Sequence, residues 1–137
     1  MKITLERKNK AVHLIGTNEN GLTVSIDGSP KIGGEELGSR PMELVLMAAG
    51  SCSSMDVLSI LQKMKQEVKS YQVEVEGERD MDAIPSVFTS IHLKFMLEGN
   101  LDESKVARAI DLSMDKYCSV THMLRGSVKI SSSFEII

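Results

Sequence analysis

Tryptophan is absent from this 137-residue chain, and all aromatic residues together make up 4% of it. A core without large rings has to be filled by Leu, Ile, Val and the nine methionines, whose flexible thioethers fit irregular gaps. A basic excess is lacking as well. Sixteen Lys and Arg stand against 19 Asp and Glu, a net charge of −3, so nothing marks a nucleic-acid binder. No uninterrupted apolar run approaches the roughly 18 residues of a membrane span. The opening MKITLERKNK is charged and has no apolar signal-peptide core. The expectation is a cytoplasmic protein with no membrane and no nucleic-acid partner. Cysteine is scarce too: Cys52 and Cys118 lie 66 residues apart. In a reducing compartment a purely structural disulfide between them is not expected.

What is present is an ordinary globular composition, 42% hydrophobic and 26% charged, at a length that suits one domain over residues 1–137. Alternation at Ile3 and Leu5, at Val12, Leu14 and Ile15, and at Leu22, Val24 and Ile26 predicts three strands. Turn signals at Lys8–Lys10 and Asn18–Gly21 separate them. A polar, glycine-bearing loop follows to Gly38. Ser39 is the expected N-cap of a helix from Pro41 to Gln66, with the proline where its missing N–H costs nothing. Leu44 to Ala49 leave this helix no polar face, which implies burial on most sides and a partner to complete it. Two strands are expected over Ser70–Arg79 and Val87–Leu97, with Val87, Ile91, Leu93, Phe95 and Leu97 on one face. Asp102 then caps a second helix carrying Val106, Ala109, Ile110, Ser113, Met114 and Tyr117. Cys118 ends it, Ser119–Leu124 makes a short further turn, and a last strand runs from Val128 to Ile136. Grouped strands with helices between them, in the order βββαββαβ, argue for an α+β fold.

The long helix poses the chemical question. Its middle holds Gly50, Ser51, Cys52, Ser53, Ser54 and Asp56, residues that packing alone does not favour. One reading lets the small residues admit a partner helix and treats both cysteines as small buried hydrophobes. The other treats the cysteines as nucleophiles, which react as thiolates and need a cation or a helix N-terminus nearby. Cys118 precedes the short turn, and Arg40, Arg7 or a residue from a partner chain are the candidate cations for Cys52. Glu43 lies nine residues before Cys52, about 13 Å along the helix and half a turn round it, which excludes contact within one helix. Asp56, at i+4, shares a face with Cys52, and an ionised carboxylate there opposes a thiolate. Cys52, Cys118 and His122 are three residues of zinc-ligand type, but no CxxC pair or HExxH signature supports them, and no metal or cofactor is expected. Met47, Met55, Met114 and Met123 suit either an apolar pocket or core filling.

The run RPMELVLMAAGSCSSMDVLSILQKM, followed by ARAIDLSMDKYCSVTHML, resembles the OsmC/Ohr superfamily of organic hydroperoxide-related proteins, in its YhfA-like branch. The likeness spans essentially the whole chain. It implies an OsmC-like fold, an intertwined homodimer in which two β-sheet regions surround long central helices. It also implies a chemistry in which Cys52 attacks the O–O bond of an organic hydroperoxide and becomes a sulfenic acid. Cys118 then condenses with it to a disulfide, and an external dithiol reduces that. The family's activating glutamate directly follows the helix-initiating proline. Here Met42 takes that place and Glu43 comes one residue later, rotated by about 100°. The family's arginine lies in the turn after the first strand, where this chain has Lys8, Asn9 and Lys10 beside Arg7. The catalytic candidates are therefore Cys52 and Cys118, with Glu43 and Arg40 as activators. The expected function is weak reduction or sensing of hydroperoxides. The alternative is a non-catalytic dimer that binds an apolar small molecule and keeps its thiols for structure.

Overall fold

Alternating residues at the start of the chain form three antiparallel strands in the computed structural model, which describes residues 1–137: β1 Ile3–Arg7, β2 Leu14–Asn18 and β3 Thr23–Ile26. They pair in the order β1-β2-β3. The second strand starts at Leu14, later than the pattern suggests, because Val12 belongs to the turn. There Asn9 accepts backbone hydrogen bonds from Ala11 and His13. Beyond β3 a short 3-10 turn, Pro30–Ile32, opens the glycine-bearing loop. The loop closes on itself tightly. A Cβ on Gly34 would stand 1.8 Å from the Gly28 carbonyl oxygen, so only glycine fits. Asp27, 1% exposed, organises the same loop by accepting N–H groups from Gly28, Glu35 and Leu37. The Leu37 hydrogen bond is the main reason its carboxyl is held below the ordinary carboxylate range.

The long helix α1 covers Pro41–Lys63, shorter at its end than expected because Lys65 takes a left-handed conformation (φ 57°). Ser39 is not its cap. It bridges Ile26, and Arg40 occupies the cap position with its N–H donated to the Glu43 carboxylate at 2.9 Å. This is one half of a capping box. By length and a mean hydropathy of 1.7, α1 matches a membrane span. Yet Ala49, Gly50, Ser53, Val57 and Leu61 are buried within the chain, as in a core helix.

The chain divides into two compact units, Met1–Val45 and Leu46–Ile137. The second contains the strands β4 Ser70–Arg79, β5 Phe88–Glu98 and β6 Lys129–Ile136, in the sheet order β4-β5-β6. β4 runs antiparallel to β5, whereas β6 runs parallel to it. The central strand carries the core: Ile91, Leu93, Phe95 and Leu97 are each 1% exposed or less. Val87, expected on that face, is exposed, and Phe88 is buried in its place. The register explains the exchange. Glu78 faces Ser90 and Arg79 faces Phe88, so Thr89 is an extra residue and the alternation flips across the bulge. Gly50 brings α1 onto this sheet, since a Cβ there would meet a Val75 methyl at 2.8 Å. That glycine serves packing within the chain.

After β5, α2 spans Glu103–Leu112, capped by Asp102 through the Ser104 and Lys105 N–H groups. A π-helical turn, Ser113–Tyr117, follows, and then α3, Ser119–Leu124. The wider π turn breaks the helical spacing, and Tyr117, grouped with the core face in the sequence, is 48% exposed.

Candidate dithiol site

Helix α1 positions two of the site's groups and the π turn a third. Cys52 and Asp56, one turn apart on α1, share a face as the i+4 spacing requires. Cys118 ends the π turn, where its N–H donates to the Ser113 carbonyl at 2.8 Å. Its carbonyl accepts from the Thr121 hydroxyl at 3.1 Å. The two sulfurs and a carboxylate oxygen of Asp56 all lie within 4.8 Å of one another. Both cysteines are free thiols, Cys52 half-buried and Cys118 fully buried. Chain segments 66 residues apart in sequence thus deliver their thiols to one spot.

Ser113 ties the two elements together. Its buried hydroxyl lies 3.2 Å from the Ser53 carbonyl and 3.3 Å from Asp56 Oδ2, and it donates to either. The sequence lists Ser113 on a packing face. The signal of its role is a small polar residue among Val106, Ala109, Ile110 and Met114, all of them buried. Ser53 and Ser54 turn their hydroxyls back onto α1, to the Ala49 and Gly50 carbonyls, which satisfies them inside the helix. Ser54 also accepts the Tyr71 hydroxyl at 2.8 Å. Burial pushes that phenol up to about 12, against the opposing pull of the Ser54 hydrogen bond.

Burial likewise pushes the Cys118 thiol up from its ordinary value. Hydrogen bonding from Thr121 pulls the other way, and the neighbouring Cys52 adds to the rise. Cys118 therefore stays protonated to higher pH than a free cysteine. Together with its burial this predicts selective alkylation. In native protein iodoacetamide should label Cys52 first, and Cys118 should react at a comparable rate only after unfolding. Peptide mass mapping against time reads the order, and faster labelling of Cys118 would contradict the geometry.

Glu43 is engaged at the cap of α1, and the Arg40 guanidinium pairs with Glu36 at 3.5 Å. Arg7 bonds the Lys10 and Ala11 carbonyls of its own turn. His122 is exposed and is not part of the cluster. Of the four methionines, Met114 is buried, while Met47, Met55 and Met123 are exposed. A hollow of about 530 Å³ lined by α2 and β6, including Glu103, Ile110, Asp111 and Phe134, contains neither cysteine.

Against known proteins, residues 33–133 match the family described as OsmC-like protein. Protein YhfA of Escherichia coli strain K12 is 45% identical over 124 residues, covering 90% of this chain and 89% of that one. The crystal structure of a hypothetical protein from Aquifex aeolicus VF5 superposes with a TM-score of 0.82 at 33% identity, covering 99% of this chain and 96% of that one. An organic hydroperoxide resistance protein OsmC from Legionella pneumophila shares the fold at 14% identity, with a TM-score of 0.72 and coverage of 98% and 97%. The two cysteine segments, the α+β architecture and these relatives agree: the chain belongs to the OsmC-like protein family.

Proposed function

We propose that this protein is a cytoplasmic dithiol redox protein that reduces or senses organic hydroperoxides with modest efficiency. The observation that carries the reading is the approach of the two sulfurs to within 4.8 Å. A disulfide holds its sulfurs about 2.05 Å apart, so the pair has to close by at most about 2.8 Å to form one. In the first step the Cys52 sulfur attacks one hydroperoxide oxygen. The O–O bond breaks, an alcohol leaves, and Cys52 becomes a sulfenic acid. In the second, the Cys118 thiol displaces the sulfenic hydroxyl as water and an S–S bond forms. An external dithiol then returns both cysteines to thiols by exchange.

Activation is the weak part of this machinery. Glu43 and Arg40 enter through the start they set for the helix that carries Cys52, and Asp56 places a carboxylate beside both sulfurs. Arg40 is engaged by Glu36 and Arg7 by the carbonyls of its own turn, so neither is a free activating cation, which is why the proposal is modest turnover or sensing. The working form is a homodimer. Met47, Met55 and Leu58 stand exposed along α1, and β1 and β3 leave Ile3, Leu5 and Val24 exposed. Apolar rows of this kind suit cover by a second copy.

Stoichiometric organic hydroperoxide tests the reading. Titratable thiols should fall from two to none per chain, with a mass loss of two hydrogens. Thiols that stay reduced under excess hydroperoxide would leave the inert-thiol alternative, a dimer that binds an apolar small molecule.

A further inference from the structure

We propose that the reduced protein has a second use for the same cluster: Cys52, Asp56 and Cys118 form a three-ligand site for a thiophilic divalent cation, zinc above all. Donor chemistry comes first. Two sulfurs and one carboxylate oxygen suit zinc and its probes cobalt and cadmium, whereas magnesium and calcium require oxygen ligands. Geometry agrees with chemistry. In a tetrahedral zinc site with bonds of about 2.3 Å to sulfur and about 2.0 Å to oxygen, neighbouring donors stand roughly 3.5–3.8 Å apart. The three donor atoms here already lie within 4.8 Å of one another, so each pair has to close by at most about 1.3 Å.

The ligands are also held. Cys52 and Asp56 project from adjacent turns of a 23-residue helix. Cys118 is fixed at both its N–H and its carbonyl, by Ser113 and Thr121. Ser113 supplies the outer support that metal-binding carboxylates usually have, its hydroxyl 3.3 Å from Asp56 Oδ2. Charge completes the case. Asp56 takes part in none of the chain's ion pairs, although it is partly buried and lies beside two thiols. A divalent ion would provide the missing positive charge. Asp56, with a carboxylate oxygen beside both sulfurs, is suited to be the third ligand of a metal dithiolate. His122, the histidine nearest to Cys118 in sequence, is exposed and outside the set.

Binding converts two thiols to thiolates, so Zn²⁺ enters and two protons leave, with no change of oxidation state. The fourth position stays open to water or another small ligand. A disulfide between Cys52 and Cys118 removes two of the three donors, so oxidation and metal binding exclude each other. Zinc would then shield the reduced thiols from hydroperoxide.

Titration of chelator-stripped, reduced protein with Zn²⁺ against a chromogenic chelator tests the site. The expected result is one Zn²⁺ per chain with about two protons released, and no binding to protein whose thiols are oxidised. Co²⁺ should give a thiolate-to-metal charge-transfer band with tetrahedral d–d intensity, a readout that needs no variant. Binding should fall below detection in Cys52→Ser and Cys118→Ser. Asp56→Asn and Ser113→Ala should raise the dissociation constant about tenfold or more. Wild-type affinity in folded Asp56→Asn, or Co²⁺ binding without the charge-transfer band, overturns the site. The hydroperoxide titration of metal-free protein is read separately, so loss of either activity leaves the other measurable.

Discussion

Replacing Cys52 with serine is expected to reduce hydroperoxide turnover to the buffer background, whereas Cys118→Ser should still undergo one oxidation per chain. The asymmetry follows from burial. Cys52 is half-buried and within reach of a small molecule, while Cys118 is fully enclosed and its thiol is kept protonated by that enclosure. In Cys118→Ser the sulfenic acid has no second thiol to meet, so it should persist long enough for a sulfenate-trapping dione to add to Cys52. Wild-type protein, with sulfurs within 4.8 Å, should instead pass to the disulfide with little adduct. The pH dependence of closure has a definite sign. Because the Cys118 thiol is shifted upward, its attacking form is scarce at neutral pH, and closure should accelerate as pH rises through and beyond the ordinary cysteine range. Equal single-event reactivity of the two variants would reverse the assigned order of the cysteines. A closure rate flat from pH 7 to about 10 would remove deprotonation of Cys118 from the rate-limiting step.

The second large effect concerns stability. Phe95→Ala should destabilise the protein by about 3–5 kcal/mol, the usual result of emptying a fully buried aromatic site. Phe95 is 0% exposed at the centre of β5, flanked on its own face by Leu93 and Leu97, and its ring centroid is 6.4 Å from that of Tyr71. The neighbouring Tyr71 ring is tied by its hydroxyl to Ser54, so it is not free to fill the gap. For a chain of this size the loss corresponds to a melting temperature lower by about 10–17 °C. The effect should reach the thiols too. Tyr71 holds Ser54 on the helix that carries Cys52, so a loosened core should also expose Cys118 to alkylation. A melting point within about 3 °C of wild type would mean that Phe95 is not central to the core.

Local patterns already contained most of the elements. Ser70–Arg79 and Ser119–Leu124 occur where alternation and spacing place them, because strand and helix periods are properties of neighbouring residues. The i+4 relation of Cys52 to Asp56 was legible for the same reason, and the two cysteine segments identified the family. What the sequence could not contain was anything set by pairing between distant segments. The bulge at Thr89 that exchanges Val87 for Phe88 depends on the register against β4, and the parallel course of β6 on which edge of β5 it meets. Ser39 lost the cap to Arg40 because it bridges Ile26, thirteen residues earlier. Most consequential is the π turn at Ser113–Tyr117, which no residue type announces. It sets Cys118 beside Cys52 and leaves Asp56, with His122 outside, as the third member of the cluster. The sequence by itself determined which thiols the protein has and the helix that carries the first. Tertiary structure decided that they meet, and with which carboxylate, because that depends on how helix ends and strand registers pack across 66 residues of chain.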